Sequence, residues 1–241
     1  MKIITTAVIK GGTGKTTTAA ALAQAAAAEG KRVLIIDLDA QGNLSYTVGA
    51  DPNGAGSYEL LHGASAADVI QHTAQEIDAI TASPNLATEK TTPGSAKRLQ
   101  EAIKPLKRKY DYIFIDTPPT MNELTFNALQ ASTGLIIPLE TDSNSLQGLY
   151  RIIEIAQQIK ESNPQLKVLG VILTSYDNRP KLHRYLREVI KEKAQEMGAP
   201  YLMEIRSGVV IREAQALQQS IYKYAPKSKP AQDYKKLFEM I

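Results

Sequence analysis

Lys10-Gly11-Gly12-Thr13-Gly14-Lys15-Thr16-Thr17 decides how this 241-residue chain reads. The octapeptide lies between an apolar, strand-like run at residues 3–9 and an alanine-rich, helix-like stretch at 16–29. Strand, glycine-rich turn and helix start, in that order, are what a phosphate-binding loop requires. Glycines let successive backbone N–H groups turn inward, and the helix start adds partial positive charge. In such a loop Lys15 is expected to reach the β- and γ-phosphates of a nucleotide, and the Thr16 hydroxyl to ligate magnesium. Thr17 is expected near the α-phosphate. Lys10 brings a second ammonium to the loop, serving either its own subunit or a neighbouring one.

Working outward, strand-length apolar runs alternate with helix-length segments. Strands are expected at 32–37, 77–81, 112–116, 134–139 and 167–174, and helices at 95–109, 121–131, 143–161 and 180–197. Near-continuous apolar strands separated by helices predict a mostly parallel, twisted sheet with helices on both faces. This is the α/β architecture of a single-domain P-loop NTPase spanning 1–241. The Gly-, Pro-, Ser- and Thr-containing segment 50–94 predicts loops and short helices. Residues 230–241 space Tyr234, Leu237, Phe238 and Ile241 as one face of a docked terminal helix.

Three aspartates complete the expected site. Asp116 ends the run Tyr112-Ile113-Phe114-Ile115, and the carboxyl end of a parallel strand faces the ligand crevice. There it would support magnesium together with Thr16. Asp37 and Asp39 flank Leu38, and alternation sends both to one side. Asp39 is assigned to positioning the attacking water and Asp37 to outer-shell support of the metal. Lys10, Lys15 and Asp39 are thus the catalytic candidates. His62, His72 and His183 are scattered and form no catalytic constellation.

Composition excludes several alternatives. The absence of cysteine removes disulfides, thiolate zinc sites and iron–sulfur clusters, and suits the cytoplasm. No stretch approaches a membrane span, and the apolar start runs directly into the phosphate loop rather than into a cleavage site. Charge is uneven: residues 1–150 hold 12 Lys/Arg against 15 Asp/Glu, and 151–241 hold 16 against 10. The basic half suits an anionic partner.

Lys10 to Thr17, Asp37 to Asn43 and Asp116 to Pro119 together resemble the signature segments of the ParA/MinD family, the deviant Walker ATPases. The resemblance continues through Asn127-Ala128-Leu129, Pro138-Leu139-Glu140 and Gly148-Leu149, and is nearest to the short ParA/Soj branch, which lacks an N-terminal helix-turn-helix domain. It implies ATP and Mg2+ as cofactors, slow hydrolysis, and a sandwich homodimer in which Lys10 reaches the partner's phosphates and the Gly11 loops approach closely. It further implies sequence-independent binding of double-stranded DNA, release stimulated by a ParB-like centromere-binding partner, and a cytoplasmic, nucleoid-associated location. On this resemblance Arg179 matches one DNA-contacting position of the branch, while Val210 stands where the family has the other arginine and Arg206 where it has a proline, so Arg206 and Arg212 are taken as its substitutes. Independently of the resemblance, the basic helix expected at 180–197 adds Arg184 as a DNA-contact candidate. A MinD-like membrane-cycling ATPase is the alternative. The chain lacks the basic amphipathic extension that reading needs, so no stable membrane association is expected.

Overall fold

Side chains along the central strands alternate between two cores, which is the period-two signature of a sheet buried on both faces. Ile4, Ile35, Phe114 and Ile136 pack into one core. Their neighbours Ile3, Leu34, Ile36, Ile113 and Ile115 enter the opposite one, and Leu135 and Ile137 extend that same face. This computed structural model describes residues 1–90 and 94–241.

In chain order the elements are β1 (Lys2–Thr6), α1 (Lys15–Ala28), β2 (Val33–Asp37), α2 (Asn43–Val48), α3 (Ser57–Leu61), α4 (Ala66–Val69), β3 (Gln71–His72), β4 (Asp78–Ile80), α5 (Arg98–Ala102) and β5 (Tyr112–Asp116). There follow α6 (Glu123–Ala131), β6 (Gly134–Leu139), α7 (Ser145–Ser162), β7 (Lys167–Tyr176), α8 (Lys181–Glu196), β8 (Tyr201–Arg206), α9 (Val210–Ala216), α10 (Ile221–Tyr224) and α11 (Lys229–Glu239). The strand order is β3-β4-β2-β5-β1-β6-β7-β8. Every pairing is parallel except β3 with β4.

α1 lies against the first core with α2 and α11, and its alanines at 19, 20, 21, 23, 25 and 26 are all buried. Small side chains let a helix covered on several sides approach the sheet closely. The terminal segment docks as expected: α11 buries Tyr234, Leu237 and Phe238 against this core. The helices α3 to α8 cover the other face.

Several elements depart from the sequence-based expectation, among them the short helices α2, α9 and α10, which it does not include. The helix foreseen at 95–109 is broken into two 3-10 turns, Ser95–Lys97 and Lys104–Leu106, around the short α5. Pro105 lacks the N–H a continuous helix needs there, and its ring crowds the preceding turn. β8 and the two-residue β3 were not foreseen. β8 is a sheet edge in which only Ile205 is fully buried, and its apolar run, Tyr201-Leu202-Met203, stops at Glu204 after three residues. Part of the irregular segment, residues 91–93, lies outside the described residues.

Candidate functional site

The strands at the sheet's centre end together. β1, β2 and β5 are in register at Thr6↔Asp116 and Asp37↔Asp116, so both aspartates emerge beside the loop that leaves β1. That loop turns through Gly12 and Gly14, at φ 77° and 82°. This left-handed region is strained for any residue with a Cβ. α1 then starts at Lys15 with no side-chain cap on its first turn, leaving its opening N–H groups to an incoming anion.

Above the loop lies a cleft of about 440 Å³, with residues 11–17 as its floor. Asp39, Asn43, Tyr46, Thr47, Pro119 and Gln215 form its walls. The structure therefore brings the loop, Lys15, Thr16, Thr17 and Asp39 into one cavity.

The Lys15 ammonium donates to the Lys10 carbonyl at 2.8 Å. Burial lowers its pKa, while Asp116 and Asp39 pull in the opposite direction. The Thr16 hydroxyl donates to Asp116 Oδ2 at 2.5 Å. Burial pushes the Asp116 carboxyl up to about 8, and neighbouring Asp37 adds to the rise. Asp37 is pushed up to about 6, again by burial, against the hydrogen bonds it accepts. Two fully buried carboxyls close to one another are only partly offset by the Lys15 ammonium, and hard cations bind where oxygen donors of this kind gather. The Thr16 hydroxyl and Asp116 thus fit a magnesium site completed by water and phosphate. Among the described residues no cluster of three or more His, Cys, Asp or Glu forms a ready-made metal cage.

Asp37 spends its oxygens on its own loop. Oδ1 accepts the Asp39 amide at 3.1 Å, and Oδ2 accepts both the amide and the hydroxyl of Ser45 at 2.8 Å. It ties down the turn that presents Asp39, whose own Oδ1 accepts the Gln41 amide at 3.1 Å. Lys10 is held within its own chain, ion-paired with Asp142 and 3.7 Å from Glu140.

Residues not singled out from the sequence also shape the site. The Thr174 hydroxyl on β7 meets the Thr13 carbonyl at 2.8 Å and the Leu139 carbonyl at 3.1 Å, clamping the loop to the sheet. A Cβ on Gly14 would come within 3.2 Å of the same threonine. Gln215 Nε2 donates to the Thr17 hydroxyl at 3.2 Å, and Tyr46 reaches the Ala216 carbonyl at 3.3 Å. These contacts join residues far apart in sequence, and no local motif announces them.

The candidate DNA-contacting arginines lie at the same end of the sheet. Tyr176 of β7 is in register with Arg206 of β8, so the segments carrying Arg179 and Arg212 leave neighbouring strands together. The Arg179 side chain is 90% exposed and bonds Asp177, while Arg184 caps the Asn178 and Arg179 carbonyls. Arg206 is bound by Asp233 through its amide and its guanidinium. Arg212 on α9 is exposed and has no ion-pair partner among the described residues. Arg187 pairs with Glu188 and lies over the Tyr176 ring.

With this geometry in hand, comparison with known proteins gives a consistent answer. The family model described as AAA domain matches residues 1–168. The Soj sporulation initiation inhibitor protein of Bacillus subtilis is 35% identical, covering 97% of this chain and 95% of its own length. The chromosome-partitioning ATPase Soj of Thermus thermophilus is 33% identical, covering 96% and 92%. Among solved structures, cobyrinic acid a,c-diamide synthase from Mycobacterium smegmatis with a bound ATP analogue and magnesium superposes with a TM-score of 0.85 at 27% identity. That alignment covers 99% of this chain and 93% of the other. Among the described residues no helix is long and apolar enough to cross a membrane.

Proposed function

The chain belongs to the ParA/Soj family of partitioning ATPases, and from that premise we propose that it is an ATP-dependent DNA-partitioning switch. It binds Mg-ATP in the cleft over residues 11–17, pairs with a second copy as an ATP sandwich, and holds double-stranded DNA without sequence preference. Hydrolysis, slow in the chain alone and stimulated by a ParB-like partner, releases the DNA. The work is done in the cytoplasm, on the nucleoid. The observation that carries this reading is the convergence of Lys15, the Thr16 hydroxyl and buried Asp116 at the opening of one helix.

Phosphoryl transfer asks the protein mainly for position and charge. The N–H groups of the loop and the Lys15 ammonium take up the negative charge of the β- and γ-phosphates. Thr16 and Asp116 hold magnesium, which supplies Lewis-acid charge neutralisation when bound. Asp37 supports that shell indirectly, through its nearness to Asp116 and the turn it ties. Asp39 orients the attacking water for in-line displacement. Lys10 leaves Asp142 and Glu140 to reach the phosphates of the second copy. Exposed cations at Arg179, Arg184 and Arg212 contact the DNA backbone, with Arg206 at their edge.

Retention of random-sequence duplex DNA on a filter, with ATP, with ADP and without nucleotide, tests this. ATP-dependent retention that weakens steeply with salt supports it. Pelleting with anionic liposomes and no DNA retention contradicts it and favours the membrane-cycling alternative.

A further inference from the structure

The cleft has two chemically distinct ends, and the nucleotide reading above accounts for one of them. Lys15, Thr16 and Asp39 lie at the end suited to the terminal phosphates. The other end is lined by Thr17, Thr47, Tyr46 and Gln215, none of them charged. A hydrogen bond at 3.2 Å joins Thr17 to Gln215, and one at 3.3 Å joins Tyr46 to the carbonyl next along from Gln215.

We infer that Tyr46 is the platform on which the nucleoside of the bound nucleotide stacks, with Gln215 as its polar neighbour; the assignment rests on the nucleotide reading. The Tyr46 residue is 53% exposed, whereas the core aromatics Phe114 and Tyr234 are at most 1% exposed. Its own chain therefore leaves much of a large ring uncovered inside the wall of a cleft. The Tyr46 hydroxyl hooks the ring from α2 onto the end of α9. A ring held in this way has little freedom left to lose when a flat base settles on it. Gln215 gives one N–H to the Thr17 hydroxyl and keeps its amide oxygen as an acceptor for a donor on the nucleoside. An uncharged, aromatic end joined to a cationic loop is what a nucleoside triphosphate presents in mirror image. The main nucleoside-holding contact therefore comes from α2, outside the phosphate loop.

Calorimetric titration with Mg-ATP and with Mg-tripolyphosphate separates the two ends, because tripolyphosphate carries the phosphates without a nucleoside. Base–aromatic stacking on this scale corresponds to an affinity change on the order of tenfold. Tyr46→Ala is expected to weaken Mg-ATP by about that factor while Mg-tripolyphosphate stays within about twofold of wild type. Tyr46→Phe keeps the stacking face but loses the hook, and is expected to fall between wild type and Tyr46→Ala with Mg-ATP while Mg-tripolyphosphate is unaffected. Should the alanine variant lose its cooperative melting transition, Tyr46→Leu gives the same comparison. Unchanged Mg-ATP affinity in Tyr46→Ala, or equal losses for the two ligands, overturns the assignment. A folded wild-type chain that binds neither ligand overturns the nucleotide reading itself, and the assignment with it.

Discussion

Replacing Thr174 with valine should loosen the phosphate loop without touching any residue that contacts phosphate. Valine keeps the branched shape and removes the hydroxyl. That hydroxyl is nearly inaccessible, at 4% residue exposure, and is shared between the Thr13 and Leu139 carbonyls. Leu139 belongs to the sheet, whereas Thr13 lies in a loop held in place by turns and by this clamp. A hydrogen bond of this kind contributes about 1 kcal/mol net, and a buried carbonyl left without its donor costs about 1–3 kcal/mol. The expected loss is therefore about 1–3 kcal/mol of stability. For a domain of this size it corresponds to a fall in melting temperature of roughly 2–12 °C. The same slackening should weaken Mg-ATP, because the Thr13 peptide lies in the cradle. Thermal denaturation without nucleotide gives the first quantity and calorimetric titration the second. A variant that melts with wild type and binds Mg-ATP equally well would show that the clamp does nothing, and would refute the reasoning.

Asp39→Ala should retain ATP-dependent dimerisation by light scattering while phosphate release drops by about 100-fold or more, the usual scale for losing a group that handles the attacking water; normal turnover removes that role from Asp39. Arg179→Glu should weaken DNA retention and flatten its salt dependence, lowering the log–log slope by about 1 for each phosphate left unneutralised, with ATP affinity unchanged; undiminished retention counts against a role for Arg179 at the DNA backbone. Burial pushes the Tyr234 hydroxyl up to about 12 from the ordinary value of 10.0. Between those values the folded chain keeps a proton that the unfolded chain releases, so stability should fall as pH rises through 10. Tyr234→Phe should reduce that slope in alkaline melting curves, and an unchanged slope would contradict the assignment.

What was legible in the sequence follows from burial and from local chemistry. β2, β5 and β6 are covered on both faces, so each reads as an apolar run, and the strand ends carrying Asp37 and Asp116 could be placed at once. The phosphate loop was legible because its glycines, Lys15 and Thr16 are contiguous. β8 was not, because an edge strand with half-exposed Tyr201, Leu202 and Met203 has no pattern distinct from a loop. The 95–109 helix was over-read: periodicity extends past Pro105, where backbone chemistry ends the helix. Long-range contacts were out of reach altogether. Nothing local tells that Thr174 meets Thr13, that Arg206 is bound to Asp233, or that Lys10 pairs with Asp142. For Arg206 and Arg212, which look equivalent as sequence, the difference between an occupied and an open guanidinium emerges only from the packing of α11 beside β8.

Calorimetric titration of the wild-type chain and of Lys15→Ala with Mg-ATP probes the core of this account most directly. Saturable heat at one site per chain in the wild type, absent in a folded Lys15→Ala variant, is the expected result. A folded wild-type chain that gives no heat, or a Lys15→Ala variant that binds as tightly as wild type, would contradict it.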